Sequence, residues 1–312
     1  MLAIETYNLT MEFTLARGIK KEAISGLNLQ VSPGKIFGFL GHNGAGKTTT
    51  IKILLGLCHP SKGWAKISGI CSDQAFARKS VGFLPEEPSF YDYLTALESV
   101  MASCCLHGIA YRDSKSLAQQ AIQNAGLADN ARSPIHTFSK GMKQKLALAH
   151  ACAHNPEILI LDEPMSGMDP EGRNILKAQM LLWKEQGKTL FFTSHILADV
   201  EAMCEEVALL SKGRCIASGN PKNFLMKEPK GIHVVLPEKQ SHIEFPFPID
   251  MQKKEGKISF FLKKKDTIEE MKTFLQSQNI FPEAWTPQYE TLEECYFRLM
   301  KGGHDENPSY RP

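Results

Sequence analysis

The 312 residues include 43% hydrophobic side chains, enough for a full α/β domain plus a smaller appendage, and this excludes a disordered chain. A formal net charge of +2, from 36 Lys and Arg against 34 Asp and Glu, excludes nucleic-acid binding driven by bulk electrostatics. No apolar stretch approaches the roughly 18 residues of a membrane span, so any membrane role depends on another chain.

The N-terminus, MLAIETYNLTMEF, lacks the basic region and apolar core of a secretory signal. Its alternating pattern reads as a strand in an antiparallel N-terminal lobe. Next comes the apolar run Ile36 to Leu40, then GHNGAGKTT, then the helical pattern TTIKILLGL. Strand, glycine-rich loop and helix in that order make a phosphate-binding P-loop from Gly41, His42, Asn43, Gly44, Ala45, Gly46, Lys47, Thr48 and Thr49. The glycines let backbone N–H groups converge on one point, and the helix adds the positive end of its dipole. Lys47 is expected to reach the β- and γ-phosphates of a nucleoside triphosphate, and the Thr48 hydroxyl to help hold Mg²⁺.

After VGFLPEE an inserted helical region is expected from about Pro85 to Asn130, where LTALESVMASCCLHGI and SLAQQAIQNAGL carry helical periodicity. Ser139 is placed to cap a helix whose apolar face runs through Leu146, Ala149 and Cys152, and Asn155-Pro156 ends it. His150 and His154 stand four apart on that helix without a glutamate between them as in metalloproteases, and read as surface or packing histidines. The eight cysteines lack metal spacing and read as reduced, mostly packing thiols of a cytosolic protein.

Glu157 to Pro164 read EILILDEP, four apolar residues of a buried parallel strand with Asp162 and Glu163 at its C-terminal end. This looks like a Walker B motif. Asp162 would hold the Mg²⁺ water shell, and Glu163 would orient and polarise the attacking water.

The order of these segments resembles the ATP-binding-cassette (ABC) ATPases. Ser139-Lys140-Gly141, one helix before the Walker B strand, is similar to the family's signature, which binds the γ-phosphate of a nucleotide held by the other subunit. SGMD resembles the D-loop, with Asp169 crossing the dimer interface. FFTSH ends in His195, which resembles the switch histidine at the γ-phosphate. Glu86 stands where the family has the Q-loop glutamine, which leaves a coupling role expected and a Mg²⁺ role in question. Phe13 stands where an aromatic residue stacks on adenine. Lys140 and Met142 depart from the commonest signature, and SKGMKQ is similar to the variant of export-type, single-cassette members.

The resemblance implies a P-loop NTPase fold of α/β class: a cassette over 1–220, with the antiparallel lobe and a helical subdomain at about 85–155. A small α+β accessory domain is expected over 221–303, from KISFFLKKK, TIEEMKTFLQSQ and TLEECYFRLMKG, followed by a disordered tail at 304–312. Lys263-Lys264-Lys265 reads as a solvated strand end. It further implies an ATPase that closes as a homodimer, or with a similar ABC subunit, around two ATP. The dimer would drive a separate polytopic membrane permease, in the direction of export, from the inner face of the cell membrane. Two other classes fit the sequence less well. A soluble ABC ATPase acting on ribosomes or nucleic acid would carry paired cassettes or long coiled coils, and a P-loop kinase or GTPase would carry a substrate pocket or guanine-recognition loop. None of these features is found.

Overall fold

The computed structural model describes residues 1–14, 16–237, 245–254 and 256–301. The expected tail at 304–312 lies outside them. The chain divides into two compact units, Met1–Asn223 and Phe224–Pro312.

The first unit begins with a long hairpin, β1 (Ile4–Thr14) and β2 (Lys20–Val31), which β4 (Lys62–Ile67) and β5 (Ile70–Cys71) extend into an antiparallel sheet of order β2-β1-β4-β5. A second sheet runs β10-β9-β3-β8-β7-β6: β3 is Ile36–Gly41, β6 Val81–Leu84, β7 Ile158–Leu161, β8 Thr189–Ser194, β9 Glu206–Ser211 and β10 Arg214–Gly219. Its strands from β9 to β6 are parallel, and β10 closes one edge antiparallel. Every residue of β3, β7 and β8 is buried, which is why these strands read as unbroken apolar runs rather than alternating ones. Phe37 of β3 stacks on Phe191 of β8 with ring centroids 5.7 Å apart, and Phe39 packs on the same ring at a tilt with centroids 5.1 Å apart. Burial of each such ring contributes roughly 2 kcal/mol.

Both aligned carboxylates and the P-loop follow from this strand order. The chain leaves β3 into the loop and α1 (Lys47–Leu54), and leaves β7 into Asp162 and Glu163. β8 lies between them and ends at Ser194, so His195 emerges at the same C-terminal edge.

A separate apolar cluster joins α2 (Ala96–Leu106), α3 (Tyr111–Asn124) and α4 (Lys140–Cys152). α2 starts at a reciprocal cap: the Thr95 side chain accepts from Glu98 N, and the Glu98 side chain accepts from Thr95 N. His150 packs inside, with Nε2 at 3.0 Å from Ser99 Oγ, and the His154 ring stacks on His107 at 3.7 Å. Burial holds both His150 and His154 down to about 4. α5 (Pro170–Glu185) and α6 (Leu197–Met203) complete the unit. Gly38 lets α6 approach β3, since a Cβ there would lie 2.6 Å from Val200 Cγ1.

The second unit has four strands in the order β12-β13-β11-β14, all neighbours antiparallel: β11 Gly231–Pro237, β12 Met251–Lys254, β13 Lys257–Leu262 and β14 Ala284–Gln288. One face buries Val234, Leu236, Ile258, Phe260 and Leu262 against Met271 and Leu275 of α7 (Lys265–Ser277). Lys263 to Lys265 are exposed and lead from β13 into α7. From α8 (Leu292–Lys301), Arg298 grips buried Glu290 with two bonds of 2.7 and 3.0 Å and donates to Phe224 O at 2.8 Å. Glu290 also accepts from Met226 N at 2.9 Å, so the segment entering this unit is tied to its last helix. All eight cysteines are free thiols, and no helix of the described residues is long and apolar enough to cross a membrane.

Candidate nucleotide site

The P-loop conformation depends on Gly46. Its φ of 111° is open to glycine alone, and an added Cβ would lie 2.7 Å from Ala23 O. This places Lys47 at the first position of α1 with its side chain folded back, Nζ donating to Gly41 O at 2.7 Å. Lys47 is buried, and its Nζ also faces Glu163 Oε1 at 3.2 Å, where the two oppose one another as an ion pair. Oε1 has no aligned hydrogen-bond donor. The other oxygen, Oε2, lies 2.7 Å from His195 Nδ1 and accepts from His195 N at 3.3 Å. Lys47, Glu163 and His195 thus form one continuous polar chain across the ends of β3, β7 and β8.

Glu163 is one of the few residues other than glycine in the left-handed region, with φ 46°. The neighbouring strand compensates: Thr193 Oγ1 accepts from Glu163 N at 2.7 Å and donates to Asp162 Oδ1 at 2.6 Å. Burial pushes the Asp162 carboxyl up from its ordinary value and Glu163 adds to the rise, while the Thr193 hydrogen bond, Lys47 and a hydrogen bond from Thr48 oppose it. Thr48 and Asp162, both expected to serve Mg²⁺, stand near one another where the P-loop meets the end of β7. Two carboxylates beside a hydroxyl make a hard oxygen donor set, which fits Mg²⁺. No group of three or more His, Cys, Asp or Glu among the described residues could hold a metal by protein ligands alone.

A cleft of about 710 Å³ opens over this chain, lined by His42 to Gly44, Gly46 to Thr49, Phe13, Glu86 and Glu163, while Gly41, Ala45, Asp162 and His195 do not line it. Its walls also include Lys21, Glu22, Ala23, Lys212 and Gly213, which sequence reasoning missed. No motif marks them, because the hairpin β1–β2 and the turn between β9 and β10 meet the loop only after the two sheets assemble. Thr193 was hidden inside FFTSH, where it read as one more strand residue.

Ser139, Lys140, Gly141 and Asp169 are not part of the cleft. All four are exposed. Ser139 caps α4 by accepting from Met142 N at 3.3 Å, and Asp169 caps α5 by accepting from Gly172 N at 2.9 Å. The two segments lie together, Lys140 Nζ standing 3.4 Å from where a Cβ of Gly167 would be.

The model of the family described as "ABC transporter" matches residues 24–166. The chain is 34% identical over 210 residues to the Nod factor export ATP-binding protein I of Burkholderia thailandensis, covering 67% of this chain and 69% of that protein. The chain belongs to the ABC transporter ATP-binding family. An uncharacterized ABC transporter ATP-binding protein of Synechocystis sp. is 41% identical over 219 residues, 70% of this chain and 62% of its own length. The matched region thus spans less than two thirds of that relative. Among solved structures, the ATP-binding subunit of an ABC transporter superposes with a TM-score of 0.65 at 29% identity, covering 72% of this chain and 92% of that one. The ABC cassette fold expected from the P-loop, the helix with its Ser139 cap and the carboxylate strand is the fold observed.

Proposed function

We propose that this chain is the ATP-hydrolysing subunit of an ABC transporter, acting as a head-to-tail dimer on a separate polytopic permease. The observation that carries the reading is the Lys47–Glu163–His195 chain, whose first two members line the P-loop cleft and whose third is hydrogen-bonded to Glu163. Lys47 supplies positive charge where the β- and γ-phosphates would lie. Glu163 is the acceptor for the proton of an attacking water, and the His195 hydrogen bond holds that carboxylate in place. Thr48 and Asp162 would hold Mg²⁺, with Glu86 lining the same cleft; when bound, the ion neutralises phosphate charge. Phe13 offers a ring face for the base.

One chain leaves Ser139, Lys140, Gly141 and Asp169 exposed and away from its own cleft. A second copy or a similar subunit, arriving head to tail, would bring them to the γ-phosphate, where the open N-terminus of α4 favours an anion. Closure around two ATP and opening after hydrolysis would then drive the permease between conformations. Export is supported by the names of relatives, Nod factor export and linearmycin resistance ATP-binding proteins. The reading puts the chain in the cytoplasm, peripheral at the inner face of the membrane, with the second unit, 221–303, as an accessory domain.

Mild-detergent isolation of the tagged chain, with mass spectrometry of what accompanies it, tests the transport part. A stoichiometric polytopic protein is the expected companion. Ribosomal proteins in its place would leave an ATPase and remove the transporter.

A further inference from the structure

The nucleotide cleft carries a second cationic rim outside the P-loop. Phe13 of β1 stands opposite Lys21 of β2 in register, so both side chains leave the hairpin on one face. The adjacent Glu12 turns away and meets Lys20 at 3.4 Å, while its cross-strand partner Glu22 still borders the cleft. Alternation returns Ala23 to the face of Lys21, and both line the cleft beside Phe13.

Lys212 reaches the same cleft from the turn between β9 and β10. It sits in the left-handed region, with φ 49°. The turn is fixed on two sides: Gly213 N donates to Ala45 O of the P-loop at 3.0 Å, and Ser25 N of β2 donates to Gly213 O at 2.9 Å. Lys21 and Lys212 are both exposed, and neither has a carboxylate partner among the described residues. Lys47, by contrast, is already matched by Glu163.

We propose that Lys21 and Lys212 clamp the α-phosphate and adjoining ribose of the bound nucleotide; this rests on the nucleotide reading above. Their place decides the assignment. Lys21 neighbours the ring offered to the base, and Lys212 neighbours the loop that takes the outer phosphates, so between them lies the stretch from ribose to α-phosphate. An ammonium group offers three donors to phosphate oxygens and hydroxyls, and the exposed setting makes the attraction sensitive to salt.

Titration calorimetry of the whole chain with ADP and with ATP, at low and high salt, tests it. Lys21→Ala with Lys212→Ala is expected to weaken both nucleotides by the same factor, about tenfold at low salt, and to flatten the salt dependence. Arginine at both positions should retain affinity. Wild-type affinity in the double alanine variant overturns the inference and leaves the nucleotide reading standing. So does a loss confined to ATP, which would put the lysines at the γ-phosphate. A wild-type chain that binds neither nucleotide removes the inference and the reading together.

Discussion

The floor of the cleft and the exposed start of α4 are built in opposite ways. At the floor, Lys47, Asp162 and Glu163 are buried, and each is held by a second group: Gly41 O, Thr193 and His195. At Ser139 to Gly141 and Asp169, the side chains are exposed and satisfy only their own helices. The floor is complete within one chain. The α4 start is chemically equipped for an anion and is kept away from this chain's own cleft. On the proposed function, that difference divides bond-breaking groups from closing groups between surfaces, and turnover would depend on bringing two copies together.

The comparison breaks most sharply at Glu163. Glu163→Gln keeps a group of the same size against Lys47 and His195 but removes the proton acceptor. Phosphate release at saturating ATP should fall by about a thousandfold while ATP binding persists. A variant that still releases phosphate at the normal rate would falsify the role of Glu163.

The outer surface is probed by Gly141→Asp. Nothing lies within 4 Å of an added Cβ there, so the single chain should fold and bind nucleotide unchanged. The carboxylate would face phosphate across the dimer, and turnover should drop by about a hundredfold. Equal loss of nucleotide binding in the isolated chain would place Gly141 in its own site instead.

Structural ties should separate from catalysis. Arg298→Met leaves Glu290 buried without its cation and should destabilise the second unit by about 2 kcal/mol in urea unfolding. ATP turnover by the cassette should be unaffected by this change.

A further test is a pH dependence. His150 and His154 are held down to about 4, whereas their ordinary value is 6.5. Between those values the unfolded chain binds protons that the folded chain does not, so stability falls as pH drops through this window. His150→Leu should flatten the acid limb of a stability-versus-pH curve. An unchanged slope would show that His150 titrates normally.

Much of the floor was legible in the residues themselves. The glycine spacing of Gly41, Gly44 and Gly46 reports a backbone path, and the run Ile158 to Leu161 reports a strand buried on both faces. Ser139 was readable as a capping residue because capping is local, whereas the cap that Asp169 makes on α5 emerged only from the structure. Lys21, Lys212 and Thr193 were not readable, since they reach the site through sheet order and hairpin register. In the second unit, KISFFL alternates cleanly and announces β13. β14 carries Pro287 and mostly exposed residues, so only its pairing with β11 identifies it as a strand. The grip of Arg298 on Glu290 likewise joins α8 to the residue pair just before it in a way no pattern predicts.

Light scattering of the Glu163→Gln chain, with and without ATP and Mg²⁺, tests the divided site most directly. The account predicts a monomer without nucleotide and a dimer with it, and the same variant carrying Gly141→Asp should remain monomeric. A Glu163→Gln chain that binds ATP and stays monomeric would contradict the claim that the exposed start of α4 completes the site of a second copy.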